Sequence, residues 1–469
     1  MFRRVVLLLI IIAAPVLAQD RFDRASAQRE TLEHLERLIA LDTQNPPGNE
    51  IIAAKYLDAQ LKHIPGVETH VLDPGDGRAN FIARLRAARS TRRAVLVMGH
   101  MDVVGADLST WTTPPFQPTE RDGYLYGRGA IDDKGMLAAT VVAIRQLATM
   151  RDALDRDIVL LATADEEAGG DRGIDRVVEK HFDLIKDVEF ALNEGGRIRM
   201  RGGRIRTINI QVTEKISYVV TAAAAGSGGH GSVPVPDNAI AALSRALARV
   251  HESKPPVRLN PVTREYFSQL GKVEEDPAIR QAMETIANAR DQATIDKAAG
   301  VLDAEPLHNA VLRTGVSITM INGGIRSNVI PSEARATLNV RVLPDGDIRA
   351  DVAEMNRIGA EKAVTFELKT EPRKAPPASP GTTPLFQAMA AAGQAMAPDA
   401  VVVPFMSTGG TDGAVLRAHG IPTYGILPMP LEMDDELRMH GDNERVPLAS
   451  LGWAAEYVYR VLLRTAAAR

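Results

Sequence analysis

The feature that most limits the folds open to this chain is a row of short apolar runs, three of the four ending in histidine or acid. NFIARL (residues 80–85), AVLVMGH (94–100), DIVLLATADEE (157–167) and VEFALNEGG (188–196) follow one another. Continuous apolar runs of strand length point to strands buried on both faces, the habit of a parallel sheet covered by helices. Residues 135–150 are rich in Ala, Leu and Val and read as one such helix. Residues 26–41, with Leu32, Leu35, Leu38 and Ile39 at helical spacing, and residues 51–61 read as others. Strands alternating with helices predict an α/β domain with a mostly parallel sheet.

The pattern changes near residue 216. ISYVVTAAAAG (216–226) is a strand, and DNAIAALSRALARV (237–250) is an amphipathic helix that Asp237 or Asn238 can cap. A polar, partly helical stretch fills residues 258–306. TGVSITMI (314–321) and ARATLNVRVL (334–343) are strands, followed by a helix near 347–362 and the strand VTFELK (364–369). This strand–helix–strand–strand–helix–strand order predicts a small α+β, ferredoxin-like unit inserted in the chain. The proline-rich link EPRKAPPASPGTTP marks its end, and the α/β pattern resumes with AVVVPFMSTGGTD, IPTYGILP and a final helix from about 448. The 469 residues are too many for one ordinary core. The expected division is a catalytic domain in two parts, 26–215 and 375–469, interrupted by a lid and dimerisation domain at 216–374.

The opening MFRRVVLLLIIIAAPVLAQD carries Arg3 and Arg4, then an apolar stretch short for a membrane span, then the small-residue site Val16-Leu17-Ala18. Residues 1–18 therefore read as a signal peptide, and the chain as exported to a periplasm or secreted, with no stable membrane anchor after cleavage. An uncleaved anchor helix is the alternative. There is no cysteine, which excludes disulfides, thiolate ligands and a cysteine nucleophile. A formal net charge of -4 gives no sign of a nucleic-acid partner.

A metal site in this chain must therefore use His, Asp and Glu. Acids and histidines cluster at or beyond the apolar runs: His100 with Asp102, Asp132 with Asp133, Glu166 with Glu167, Glu194, and late in the chain His440. Singly, each has a bland reading: a surface His–Asp pair, a turn, a solvated helix start. Together they fall where the strand ends of an open α/β sheet gather a site. So many carboxylates without Lys or Arg among them call for a cation. Two histidines and several carboxylates, without sulfur, suit Zn²⁺ or a similar divalent ion. His34, His63, His70, His181, His251, His308 and His419 lack a carboxylate-rich strand end and read as structural or solvated.

GHMDVV, GRGAIDDKG, ADEEAGG, NEGG, GGHGSVP, SNVIP and MHG occur in this order over about residues 28–465. In this the chain resembles the dinuclear zinc aminoacylase and carboxypeptidase superfamily, which includes acetylornithine deacetylase, succinyl-diaminopimelate desuccinylase and glutamate carboxypeptidase. WTTPPF (111–116) and LNEGG are most similar to the branch of Gly-X carboxypeptidase and the N-acyl amino acid hydrolases. The resemblance implies two Zn²⁺ ions, with Co²⁺ or Mn²⁺ as alternatives. It makes Asp132 the bridging ligand, His100 and Glu194 the ligands of one ion, and Glu167 and His440 those of the other. Asp102 is then the partner that orients His100, and Glu166 the general base. A cis peptide bond is implied between Asp132 and Asp133.

In the inserted domain the resemblance makes His230 an oxyanion-stabilising residue that reaches a partner subunit's site, and Asn328 and Arg341 carboxylate-binding residues. Gly410 and Thr411, with Asp412, are expected to line the pocket. Ala414 stands where relatives carry arginine, leaving Arg417 as a candidate substitute. The implied function is hydrolysis of an amide next to a free carboxylate, in an N-acyl amino acid or at the C-terminal bond of a short peptide, by a homodimer joined through the inserted domain. A dipeptidase or aminopeptidase with the same centre is the rival enzyme. A catalytically dead binding protein is the non-enzymatic rival, against which the complete ligand set argues.

Overall fold

The computed structural model describes residues 22–468, so the segment read as a signal peptide lies outside the described residues. Among the described residues no helix is long and apolar enough to cross a membrane. The predicted runs, with the unpredicted strands Val67–Leu72 and Arg204–Glu214 added, form one eight-stranded sheet in the order Val67–Leu72, Asn80–Leu85, Ile158–Thr163, Ala94–His100, Val188–Arg201, Thr423–Leu431, Arg204–Glu214, Val401–Ser407. Its centre is parallel: Ala94–His100 runs parallel to both Ile158–Thr163 and Val188–Arg201, and Thr423–Leu431 parallel to Val188–Arg201.

Alternation along each strand feeds two cores. Val95, Val97, Leu160 and Ala162 pack with the helices Arg24–Ala40, Ile51–Leu61, Lys134–Ala148, Pro384–Met396 and Leu448–Ala466. Leu96, Met98, Val159 and Leu161 pack on the other face with Ile174, Val177 and Leu416, from the helices Ile174–His181 and Gly413–Ala418. Burial on both faces is why these strands read as unbroken apolar runs.

The strand Arg204–Glu214 was not expected. It forms an antiparallel hairpin with Val188–Arg201 through Gly202 and Gly203, both at positive φ (62° and 76°), the conformation a two-residue hairpin turn needs.

The inserted unit is a separate four-stranded antiparallel sheet in the order Gly315–Gly323, Glu333–Val342, Ile216–Ala225, Val364–Leu368. Numbered along the chain this is 2-3-1-4, the ferredoxin-like order. Tyr218, Val220, Leu338 and Val340 face the helices Ala239–Glu252 and Ile348–Gly359. Asn238, not Asp237, caps the first of these, its side chain accepting the Ala241 N–H.

The stretch between that helix and Gly315–Gly323 forms the helices Pro261–Leu270, Pro277–Asn288, Gln292–Leu302 and Pro306–Leu312, three of which place proline at their start. They bury Phe267, Met283, Ile286 and Leu312 against Val403, Phe405 and Met406 of the edge strand Val401–Ser407. This helical segment thus shares its core with the large sheet.

Candidate active site

The acids and histidines converge at the C-terminal ends of the parallel strands. His100 Nε2 lies 2.9 Å from Asp132 Oδ1. His440 Nε2 lies 3.2 Å from Asp132 Oδ2 and 3.2 Å from Glu167 Oε1. Each oxygen of Asp132 therefore faces one imidazole. Ligand atoms of His100, Asp132 and Glu167 lie within 4.8 Å of one another. Glu167 Oε1 is buried yet accepts no well-aligned hydrogen bond from a described group. An acceptor left bare among imidazoles and carboxylates fits a divalent cation. The peptide bond between Asp132 and Asp133 is cis, as the resemblance implied.

Glu194 and Glu166 share a cleft of about 560 Å³ with Asp132, Glu167 and His440. Burial pushes the Glu194 carboxyl up to about 8, and Asp132 adds repulsion. Burial also pushes Glu166 well above the usual range, with Asp412 and Glu194 repelling its charge against the pull of His100. Asp412, buried and accepting the Thr163 hydroxyl at 2.6 Å, is raised to about 7 by its burial. His440 moves up to about 10 through its close approach to the Asp132 and Glu167 carboxylates. Crowded carboxylates that hold on to protons, beside imidazoles that gain them, describe a site short of positive charge.

The acidic run 165–167 divides its labour. Asp165 adopts a left-handed conformation (φ 65°) at the head of the short turn Glu166–Ala168. Arg78 Nη2 at 2.6 Å and Asn45 Nδ2 at 3.0 Å donate to its carboxylate. Asp102 holds the turn from the other side. Fully buried, it accepts Asn45 Nδ2–H at 2.8 Å and the N–H groups of Glu167 at 3.1 Å and Glu166 at 3.2 Å. His100 Nδ1 lies 3.0 Å from the Asp102 carbonyl and 3.5 Å from its carboxylate. One acid thus sets the ring of His100 and the backbone that aims both glutamates. Asp165, Asn45 and Arg78 were given no role from the sequence; they are polar loop residues without a local signature.

Glu444 was also missed. Its buried carboxylate accepts the N–H groups of Gly129 (3.0 Å), Ile131 (2.7 Å) and Asp132 (3.2 Å) and pairs with Arg128 Nη1 (2.8 Å). Arg128 Nη2 donates to the Gly441 carbonyl at 3.0 Å. The pair therefore ties the loop bearing Asp132 to the loop bearing His440. The four-residue spacing from His440 to Glu444 was the only signal available.

Arg341, Gly410, Thr411 and Ala414 line the cleft. Arg417 does not substitute for the missing arginine: it is buried, and its Nη2 pairs with Glu214 Oε2 at 3.0 Å. Glu214 also accepts Thr411 N–H at 3.0 Å and its hydroxyl at 2.8 Å, which fixes the pocket loop. His230 and Asn328 lie together at an exposed two-stranded tip, and neither lines this chain's own cleft. His34 is a core residue, its Nδ1 2.7 Å from the Tyr56 hydroxyl. Trp111 packs in its loop beneath the Arg128 guanidinium.

A mostly parallel α/β sheet that gathers His, Asp and Glu at its strand ends, joined to a ferredoxin-like lid, defines the class as a metal-dependent peptidase or amidohydrolase. The chain belongs to peptidase family M20/M25/M40, whose model matches residues 96–464. It is 30% identical to a probable carboxypeptidase S-like protein of Dictyostelium discoideum over 386 residues, 80% of this chain and 72% of that one. It is 25% identical to the human N-fatty-acyl-amino acid synthase/hydrolase over 381 residues, 78% of this chain and 73% of that one. Among solved structures, the M20 family metallo-carboxypeptidase of Sulfolobus solfataricus shares the fold with a TM-score of 0.67 at 19% identity, covering 93% of this chain and 99% of that one.

Proposed function

We propose that this protein is an exported, zinc-dependent hydrolase of the amide bond next to a free carboxylate, acting on N-acyl amino acids or on the last bond of short peptides. The observation that carries the reading is the placing of Asp132 between two imidazoles, with His100 at one oxygen and His440 at the other. His100, Asp132, Glu167, Glu194 and His440 would hold two divalent ions, zinc being the ion this nitrogen and oxygen donor set suits. Such ions, when bound, polarise an amide carbonyl and acidify water at neutral pH.

The chain's own residues do the rest. Glu166, in the same cleft and next in sequence to Glu167, is the general base. It takes the proton of the attacking water and passes it to the departing amine. Asp102 keeps the His100 ring and the Glu166–Glu167 backbone in register. Arg341, on the lid wall of the cleft, offers a planar guanidinium to the substrate's carboxylate, with Gly410 and Thr411 on the opposite loop.

Dimerisation through the inserted domain belongs to the same reading. The strand Gly315–Gly323 is the edge of its sheet and exposes Met320 and Ile321, each at 58%. An apolar sheet edge is a ready site for pairing with a second copy. A partner would also explain why His230 and Asn328 stand exposed at a tip outside their own cleft, where they could complete the cleft of the other subunit.

The test is Glu166→Gln in zinc-loaded protein. Hydrolysis of an N-acetyl amino acid is expected to fall by about 10²–10⁴ while metal content holds near two equivalents. Hydrolysis at the wild-type rate would refute the assigned base. Arg341→Ala, compared on substrates with free and amidated carboxyl groups, tests the substrate end; equal losses on both would favour the dipeptidase or aminopeptidase reading.

A further inference from the structure

The lid side of the cleft carries cations besides Arg341: Arg373, in the link that ends the domain, and the buried Lys215. Lys215 lies between the catalytic strand that ends at Glu214 and the lid strand that begins at Ile216. Its residue is 2% exposed, yet it lines the cleft beside Arg341. A methyl group placed on Gly315 would lie 3.7 Å from Arg341 Cβ and 3.9 Å from Lys215 Nζ, so the two side chains flank one spot. A methyl group on Gly410 would lie 3.9 Å from Arg341 Nη1, so the guanidinium reaches across to the pocket loop.

Neither Arg341 nor Lys215 has a carboxylate partner among the described residues. Arg341 spends one donor, Nε, on the Asn339 side-chain oxygen at 2.8 Å. Lys215 spends one of its three on the Arg313 carbonyl at 2.6 Å. Of the two acids that act on Arg341 through space, Glu166 and Glu214, the second is already engaged by Thr411, Gln211 and Arg417. Burial, with repulsion from Arg341, draws the Lys215 ammonium down to about 8. A buried ammonium that no carboxylate contacts, on a wall shared with a guanidinium, is a costly arrangement unless an anion arrives.

We propose that Lys215 is a specificity-determining residue: its ammonium and the Arg341 guanidinium close together on the substrate's carboxylate. The inference rests on the reading above, in which that carboxylate binds at Arg341. One carboxylate has lone pairs enough to accept two parallel bonds from the guanidinium and a third from the ammonium. Because Lys215 sits at the junction of the two domains, its bond to the substrate also links the lid to the catalytic sheet. The competing role is structural, a pin that holds the Arg313 carbonyl and nothing more.

The experiment compares zinc-loaded wild type, Lys215→Met, Lys215→Gln and Arg341→Ala on pairs of N-acetyl amino acids and their carboxamides. Lys215→Gln removes the charge and keeps an N–H donor for the Arg313 carbonyl, so it remains informative if Lys215→Met does not fold. In both Lys215 variants the ratio of kcat/KM for acid over carboxamide is expected to fall about tenfold or more, through KM, as the loss of one charge-assisted bond requires. An unchanged ratio in the Lys215 variants, with a collapsed ratio in Arg341→Ala, would overturn the role of Lys215 and leave the proposed function standing. An unchanged ratio in Arg341→Ala would overturn carboxylate recognition at this wall, and Lys215 with it.

Discussion

Replacing Glu444 by alanine is expected to unseat the loop that carries Asp132. The Glu444 carboxylate is 1% exposed and accepts three backbone N–H groups, at 3.0, 2.7 and 3.2 Å, besides the Arg128 guanidinium at 2.8 Å. Burial raises this carboxyl, and Arg128 and the N–H groups of Ile131 and Gly129 oppose the rise. Removing one partner of a buried ion pair costs about 3–5 kcal/mol, because the other charge stays buried alone. Each backbone N–H left without an acceptor adds about 1–3 kcal/mol unless water takes the place of the carboxylate. The expected loss is therefore at least about 3 kcal/mol. Glu444→Gln, which keeps one acceptor oxygen and the volume, is expected to lose less.

Arg128→Met combined with Glu444→Ala removes both charges and is expected to cost clearly less than the two single losses added. Urea denaturation of chelator-treated protein measures these values without a contribution from metal binding. Competition with a chelator then reads zinc affinity, which is expected to fall in Glu444→Ala because Asp132 moves with its loop. A loss under about 1 kcal/mol, or single losses that add within about 0.5 kcal/mol, would show that the pair does not hold the loop.

Asp102→Asn keeps the shape of the hub but removes the charge that two backbone N–H groups and Asn45 address; zinc affinity is expected to fall about 10–100-fold, read by chelator competition, and an unchanged affinity would remove Asp102 from the support of the site. The Lys215 ammonium is lowered from 10.5 to about 8 by burial. Between those values the unfolded chain binds this proton and the folded chain does not, so the group's contribution to stability rises with pH across the window. The stability difference between wild type and Lys215→Met, from urea unfolding at a series of pH values, is expected to shift in favour of wild type from about pH 8 to 10.5, and a flat difference would contradict the burial of the ammonium. Ile321→Lys, on the exposed sheet edge of the inserted domain, is expected to turn a dimer into a monomer in light scattering; a dimer that survives would move the interface elsewhere.

Much of the fold was legible because its signals are local. Strands buried on both faces spell continuous apolar runs, and three of the four strands of the inserted sheet, Ile216–Ala225, Glu333–Val342 and Val364–Leu368, are buried on one face and alternate. Tyr218, Val220, Leu338 and Val340 could be placed inward from spacing alone. The strand Arg204–Glu214 does alternate, with Ile208, Ile210 and Val212 set between Thr207, Asn209, Gln211 and Thr213, so its period was present in the sequence; what spacing does not show is that the polar face is buried as well. The stretch from Pro261 to Leu312 was legible only as partly helical, and the docking of its four helices on Val403, Phe405 and Met406 depends on a strand about a hundred residues further on.

The sequence by itself determined which atoms are available for chemistry: no sulfur, and histidines and carboxylates stationed where buried strands end. It also determined that these groups are too many and too alike in charge to be near one another without a cation. Only the tertiary structure decided how they divide the work. It put Asp132 between His100 and His440, gave Asp165 to Arg78 and Asn45, paired Arg417 with Glu214, and left Arg341 and Lys215 without a carboxylate in direct contact. The reason is that a charge's role is fixed by its nearest partner in space. Those partners lie 308 residues apart for His440 and Asp132 (440 − 132) and 57 apart for Asn45 and Asp102, distances over which spacing in the chain carries no information.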